Sequence, residues 1–174
     1  MLFRSQSKEK IDSLESLGAE LHLVPATSYS DERHYIHAAE RLAEKLSDRV
    51  DEGAFWARQF DNIANMQMHY QTTGQEIWQQ TEGEVDAFIC SVGTGGTVAG
   101  VSRALKEHKP ETVIAVADPM GASLYSYYTT GELAAEGSSI AEGIGINHLT
   151  DNLKEAQVDR AYRVRDEEIG RAHV

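Results

Sequence analysis

The hydrophobic positions of the chain alternate between a helical spacing and short apolar runs. Apolar side chains that recur every three to four residues indicate helices with one buried face. Helices are predicted over residues 7–17, 30–46, 65–80 and 97–107. Gly18 follows the first of these, where a glycine commonly ends a helix. Asn65 stands at the start of the third, where an asparagine side chain can serve as N-cap.

The short apolar or alternating segments predict strands. These strands are expected over residues 19–24, 54–57, 87–90 and 113–117. The last two are apolar throughout, which is typical of strands in a parallel sheet that is buried on both faces. Because strands alternate with helices along the chain, we predict an α/β fold of three layers, with a parallel sheet between two layers of helices.

Composition narrows the classes of protein that fit this pattern. The chain has 174 residues, which suits one domain or a piece of a larger one. A net charge of −12 argues against nucleic acid as a partner, because phosphate neutralisation needs clustered Lys and Arg. The apolar runs are too short to cross a membrane, and a single cysteine excludes a disulfide framework. With no signal peptide after Met1, a cytoplasmic protein is expected.

Both ends of the chain have a second interpretation at the level of DNA. One coding of Glu-Ile-Gly-Arg-Ala-His-Val at residues 168–174 is GAGATCGGAAGAGCACACGTC. The reverse complement of its AGATCGGAAGAG segment is CTCTTCCGATCT, which encodes Leu-Phe-Arg-Ser of residues 2–5. This segment resembles an adapter used in sequencing libraries. We therefore expect residues 1–5 and 168–174 to be adapter-derived and the natural protein to extend beyond both of them.

The segment Ser91-Val92-Gly93-Thr94-Gly95-Gly96-Thr97 carries the clearest candidate chemistry. It follows a predicted strand and precedes a predicted helix, at the edge of a parallel sheet where ligands bind. Its glycines allow sharp turns and close approach of the backbone, and the helix start offers unpaired N–H groups to an anion. A phosphate is the natural occupant. A glycine-rich turn without a ligand is the alternative that this loop alone leaves open.

Two other features have ordinary structural interpretations. Cys90 ends an apolar strand, where a free cysteine usually behaves as a small buried hydrophobe. His34 and His37 are spaced three residues apart on a predicted helix, but a metal site needs a third convergent ligand. We interpret these histidines as part of a solvated helix face and predict no metal site.

Five segments of the chain carry a resemblance to a known family. In chain order they are Leu-Gly-Ala-Glu-Leu from residue 17, Gln-Phe-Asp-Asn-Ile-Ala-Asn from 59, Thr-Thr-Gly-Gln-Glu-Ile-Trp from 72, Gly-Thr-Gly-Gly-Thr from 93 and Glu-Gly-Ile-Gly from 142. Together they resemble the pyridoxal-phosphate enzymes of the cysteine synthase and cystathionine β-synthase family. The third departs from the family, because Gln75 replaces its usual proline. The resemblance runs from about residue 7 to residue 167.

The resemblance implies a fold, a cofactor and roles for particular residues. The expected fold is the tryptophan synthase β-like fold of pyridoxal-phosphate enzymes (fold type II), present here in part. Pyridoxal 5′-phosphate is the implied cofactor, and its phosphate would bind to Gly93, Thr94, Gly95, Gly96 and Thr97. Gln59 would contact the carboxylate of the amino-acid substrate, although capping of local backbone explains it as well. Gly143, Ile144 and Gly145 would form a wall beside the substrate, although a plain turn also explains these glycines.

The family makes cysteine from O-acetylserine and sulfide, so this is the activity that the resemblance implies. Residues 6–62 would then belong to a small N-terminal domain and residues 63–167 to a large cofactor-binding domain. A homodimer is expected, with serine acetyltransferase as a further partner. The family's Schiff-base lysine has no counterpart among the six lysines of the chain. We therefore predict no catalytic residue within the chain and no cysteine synthase activity for it as written.

Other activities remain open at this point. A cystathionine β-synthase-like or serine/threonine dehydratase-like enzyme would use the same cofactor on another hydroxy-amino acid. A protein of a different class, a phosphate-binding or regulatory module without catalysis, could use the same fold.

Overall fold

The computed structural model describes residues 2–3, 7–25, 27, 31–49 and 51–169. The other residues expected to be adapter-derived, 1, 4–5 and 170–174, lie outside these ranges. The chain divides into two compact units, Met1–Ala57 and Arg58–Val174.

The described residues of the first unit form two short strands and two helices. In chain order these are β1 Leu2–Phe3, α1 Lys8–Ser16, β2 Leu23–Val24 and α2 Tyr35–Ser47. Strands β1 and β2 pair in parallel. The first predicted helix is confirmed, and Gly18 follows it with a φ of +84°, the left-handed conformation that glycine adopts most easily.

Four predictions in this unit need correction. The strand expected over 19–24 is limited to its last two residues, and the one over 54–57 is absent. The hydroxyl of Ser47 instead bonds both backbone groups of Ala54. The helix expected from residue 30 begins at Tyr35, because the ring of His34 caps it by accepting from the N–H of Ile36. His34 is only 9% exposed, so its assignment to a solvated face is wrong.

The second unit holds a parallel sheet and most of the helices. Its elements are α3 Ala64–Gln71, α4 Thr73–Gln80, β3 Ala87–Cys90, α5 Gly96–His108, β4 Val113–Pro119, α6 Leu124–Thr130, α7 Asp151–Lys154, β5 Arg160–Val164 and α8 Asp166–Ile169. The strands lie in the order β3-β4-β5, and both pairs are parallel. The predicted α/β class with a parallel sheet is therefore confirmed.

The core of the second unit lies where α5 packs near the central strand β4. Ile114 and Val116 of β4 are fully buried, together with Leu105 of α5. Leu124 and Leu153 belong to the same cluster. Strand β3 lies at the edge of the described sheet and leaves Ile89 57% exposed, so the prediction that β3 is buried throughout is wrong.

The helix predicted over 65–80 is two helices. Thr72 separates them with φ −117° and ψ −80°, outside the helical region. The first begins at Ala64, whose N–H donates to the side chain of Asn62. Asn65 is therefore inside α3 and is not its cap, which leaves its side chain for longer-range contacts.

No helix within the described ranges is both long enough and apolar enough to cross a membrane.

Candidate functional site

The glycine-rich loop occupies the place that the sequence predicts for it. Residues 91–95 connect the carboxyl end of β3 to the amino end of α5. Gly95 directly precedes the helix with a φ of +89°. The N–H groups in the first turn of α5 have no carbonyl one turn earlier to bond, and the helix dipole is positive at this end. The loop therefore presents backbone donors in a favourable field for an anion.

The three glycines of this loop are required by protein packing. A Cβ added to Gly93 would lie 2.5 Å from the carbonyl oxygen of Gly143, and one on Gly95 would lie 2.8 Å from the Cβ of Leu153. A Cβ on Gly96 would overlap the amide of Asn65. The space that these glycines leave is filled by protein. What remains for a ligand is the set of N–H groups at the start of α5.

The hydroxyl of Thr94 is oriented by its neighbours. Its oxygen accepts from the side-chain amide of Asn65 at 3.0 Å and lies 3.4 Å from the N–H of Gly96. Since a hydroxyl has one proton and two lone pairs, its proton is left as a donor. The carbonyl of Thr94 accepts from the Thr150 hydroxyl at 2.7 Å. Thr94 is therefore fixed through both its backbone and its side chain.

Thr97 carries the second hydroxyl of the loop, and it is exposed. Its oxygen lies 3.2 Å from Nε2 of His69, and Nδ1 of the same ring lies 2.9 Å from the hydroxyl of Thr73. The imidazole thus joins the first turn of α5 to the first turn of α4. This chain of contacts limits the directions in which the Thr97 hydroxyl can point.

Gln59 lies in a turn that is anchored to the same region. Its carbonyl accepts from the side-chain amides of both Asn65 and Asn152, each at 3.0 Å. Its own side chain is exposed and makes no hydrogen bond to the described residues, so the backbone and not the side chain of Gln59 takes part in local capping. The side chain remains available to a ligand.

The segment from Gly143 to Gly145 also lies against the loop. The N–H of Gly145 donates to the carbonyl of Val92 at 2.8 Å. Both glycines have positive φ values, +82° and +83°. Ile144 between them is half-buried and lines a cavity of about 290 Å³ with Gly145 and Pro119. The turn explains the glycines, and its position beside the loop also fits a wall of a binding site.

The Gly93–Thr97 loop, the backbone of the Gln59 turn, Gly143 and Gly145 therefore come together near the start of α5, whereas Ile144 lines the cavity beside Pro119. The donors there are backbone N–H groups and two hydroxyls, at the positive end of a helix of 13 residues. These are the groups that bind a phosphate in proteins, so the residues fit the phosphate of pyridoxal 5′-phosphate.

Sequence reasoning missed Thr150 and Asn152. Thr150 caps α7 by accepting from the N–H of Leu153, and a threonine before an acidic helix start is a readable signal for that role. Asn152 is fully buried and bonds residues more than 80 positions away, which no local pattern reveals.

The three lysines of the second unit are each paired with an aspartate. Lys106 and Lys109 lie at the opposite end of α5, about 15 Å or more from Gly96 at the rise of a helix. Both pair with aspartates. Lys154 follows Leu153, but its hydrogen bond with Asp151 raises the pKa of its amine, whereas a nucleophilic lysine needs a lowered one. Lys8, Lys10 and Lys45 belong to the first unit.

Cys90, at the end of β3, is not activated. Burial raises the pKa of its thiol to about 11, so almost none of it is thiolate at neutral pH. This agrees with its interpretation as a small buried hydrophobe.

The fold and the loop together define a protein that binds a phosphorylated cofactor at the carboxyl edge of a parallel sheet. Residues 1–173 match the family described as pyridoxal-phosphate dependent enzymes, and the chain belongs to this family. Its members use pyridoxal 5′-phosphate.

The chain is similar to several cysteine synthases. It is 47% identical to cysteine synthase 1 of Neurospora crassa, over 94% of the chain and 47% of that protein. It is 44% identical to cysteine synthase 1 of Emericella nidulans, over 94% of the chain and 48% of that protein. It is 42% identical to the cysteine synthase of Dictyostelium discoideum, over 96% of the chain and 46% of that protein. The chain thus spans about half the length of these curated relatives.

Proposed function

We propose that this chain is part of a cysteine synthase that makes L-cysteine from O-acetylserine and sulfide. The observation that carries the proposal is the convergence of Gln59, the Gly93–Thr97 loop and the Gly143–Gly145 turn on one end of α5. Identities of 42–47% to three cysteine synthases support the choice of this reaction over that of other pyridoxal-phosphate enzymes.

The residues of the chain have distinct tasks in this proposal. The N–H groups at the start of α5 and the hydroxyls of Thr94 and Thr97 hold the cofactor phosphate. The exposed side chain of Gln59 binds the substrate carboxylate, and residues 143–145 border the substrate. When bound, pyridoxal 5′-phosphate supplies an electron sink that allows the substrate to lose its α-proton and its acetate.

The chain by itself is proposed to be inactive. The reaction needs a lysine that moves the α-proton, and no lysine of the chain matches the family's lysine motif. Lys106, Lys109 and Lys154 are in addition paired with aspartates. The resemblance places the family's lysine upstream of residue 7. It also supports a homodimer and an association with serine acetyltransferase, which size-exclusion chromatography of the longer protein tests.

Binding of pyridoxine 5′-phosphate to the chain tests the phosphate site. This compound has the cofactor's phosphate but no aldehyde, so it does not react with surface lysines. We expect Thr94→Val to weaken binding about tenfold, because it removes a donor to a charged group worth about 1.5 kcal/mol.

Thr129→Val is the matched control, because Thr129 lies on α6 and its hydroxyl bonds the carbonyl of Tyr125. Equal affinities for the two variants would reject the site. Cysteine production from O-acetylserine and sulfide by the unsubstituted chain would overturn the proposed inactivity.

A further inference from the structure

Beside the candidate site, the start of α7 makes a set of contacts that the proposed reaction does not use directly. Thr150 and Asn152 are both fully buried. Buried polar side chains are costly unless they are hydrogen-bonded, and both of these are. Their partners belong to parts of the chain that lie far apart in sequence.

Both polar atoms of the Asn152 side chain are hydrogen-bonded, to one turn and one helix. Its Nδ2 donates to the carbonyls of Gln59 and Phe60, at 3.0 and 2.8 Å. Its Oδ1 accepts from the N–H of Met66 at 3.1 Å, in the first turn of α3. The turn that precedes α3 includes Arg58 with a φ of +45°, an unfavourable conformation for a residue with a side chain. Asn152 therefore stabilises a strained turn that carries Gln59.

Thr150 and Leu153 contact the glycine loop from the same short helix. The Thr150 hydroxyl donates to the Thr94 carbonyl at 2.7 Å and accepts from the N–H of Leu153 at 3.0 Å. Leu153 in turn fills the space that a side chain on Gly95 would need. One turn of helix thus contacts both the loop and, through Asn152, the Gln59 turn.

We propose that Thr150 and Asn152 are positioning residues that hold the Gln59 turn and the Gly93–Thr97 loop in a fixed relation. Neither side chain has a free polar atom with which to bind a ligand. They act on the ligand through Thr94 and through the turn that presents Gln59. This inference rests on the proposed function, since it assumes that the loop binds the cofactor phosphate.

The affinity of the chain for pyridoxine 5′-phosphate tests the role of Thr150. Thr150→Val keeps the shape of the side chain but removes the bond to the Thr94 carbonyl. We expect it to weaken binding about fivefold, which corresponds to one hydrogen bond of about 1 kcal/mol. Thr150→Ser keeps the hydroxyl and is expected to restore the affinity of the unsubstituted chain.

Thr112→Val is the matched control for stability. Thr112 is also fully buried and also donates to a backbone carbonyl, that of Val85, but it lies before β4 at the other end of the sheet. It should lower stability without changing affinity. If Thr150→Val and Thr112→Val leave affinity equally unchanged, Thr150 is only a structural residue and the proposal is wrong.

Hydrogen exchange of the unsubstituted chain provides a test that depends on no variant. Bound pyridoxine 5′-phosphate should slow exchange at the amides of Met66 and Leu153, which Asn152 and Thr150 hold, and leave the amide of Val113 unchanged. Binding without this protection would overturn the proposal.

Failure of the phosphate site, on which the proposed function depends, would look different, because the unsubstituted chain would then bind no pyridoxine 5′-phosphate. In that case exchange in Thr150→Val still decides the positioning role. Faster exchange at Met66 supports the proposal that Thr150 and Asn152 together hold the loop and the Gln59 turn, and unchanged exchange there refutes it.

Discussion

Helices α2 and α5 have the same length of 13 residues and both carry apolar stripes, yet only one of them forms part of a core. Eight residues of α5 are buried, whereas within α2, all of whose residues are described, none is. Helix α5 packs against α3 and α4. An amphipathic pattern therefore predicts that a helix forms, but it does not say how well the helix is covered.

Small residues account for the close packing of α5. Gly100 faces the backbone of α3, where an added Cβ would lie 2.5 Å from the amide nitrogen of Tyr70. On α4, an added Cβ at Gly74 would lie 2.5 Å from the Cβ of Ala104. Helix α2 contains the alanines Ala38, Ala39 and Ala43 but no glycine. Glycines at these contacts thus allow α5 to pack closely against α3 and α4, and α2 contains none.

The largest effect is expected for truncation of a core side chain in α5. Leu105→Ala should lower the free energy of unfolding by about 3 kcal/mol, because Leu105 is fully buried and its loss leaves a cavity. Leu42→Ala in α2 is the control, and it should cost less than about 1 kcal/mol because Leu42 is only partly buried. Urea unfolding followed by circular dichroism measures both, and similar costs would contradict the difference between the helices.

A second substitution, Gly100→Ala, tests whether packing or helix propensity determines the change in stability at this position. Propensity alone predicts that Gly100→Ala stabilises α5 by about 1 kcal/mol. The contacts with Met66 and Tyr70 predict the opposite sign, a loss of about 2 kcal/mol, because the added methyl group overpacks the helix contact. The same urea measurement decides, and a gain in stability would show that α3 and α5 are less closely packed than described.

The third prediction concerns two aspartates whose pKa values move in opposite directions. Burial raises the pKa of Asp118, one of whose carboxylate oxygens has no hydrogen-bond partner among the described residues. Hydrogen bonds from Arg33 lower the pKa of the partly exposed Asp31 to about 2. Relative to Asp118→Asn, the unsubstituted chain should therefore lose stability as the pH rises through the raised pKa of Asp118.

Asp31 should show the reverse dependence. Relative to Asp31→Asn, the unsubstituted chain should lose stability as the pH falls from the ordinary aspartate range towards 2. Urea unfolding of the three proteins at a series of pH values provides the measurement. For each variant, the difference in free energy of unfolding from the unsubstituted chain is followed against pH. If the two differences change with pH in the same direction, the two carboxylates do not differ in environment as described.

The smallest effect is expected at Gln75, where the family usually has proline. Its side chain lies 2.9 Å from Nε2 of His108 and also donates to the carbonyl of Tyr70. His108 stacks on Trp78 with their ring centroids 4.7 Å apart. Gln75→Pro loses these bonds but restricts the unfolded chain, so the change should stay within about 1 kcal/mol. A larger loss would make Gln75 an essential link between α4 and the end of α5.

The sequence alone predicted the central part of the fold well. Strand β3, the glycine loop, helix α5 and strand β4 all lie within two residues of their expected places, because continuous apolar runs and glycines are strong local signals. Strand β5 was not predicted, since Arg160 and Arg163 interrupt its apolar pattern. Parallel pairing with β4 decides its structure, and that is a long-range contact.

The candidate site was predictable in its motifs but not in its connections. Asn65 looked like a helix cap, yet it joins Gln59 to Thr94. The glycines of the loop were expected to make room for a ligand, whereas their missing side chains make room for Gly143, Leu153 and Asn65. Such roles depend on contacts between distant segments, which a local pattern does not contain.

An amide NMR titration of the chain with pyridoxine 5′-phosphate can show whether the cofactor phosphate binds at the start of α5. We expect the largest shifts at Gly95, Gly96 and Thr97, with smaller ones at Gln59. Largest shifts elsewhere, such as around the cavity beside Pro119, or no shifts at all, would contradict this prediction.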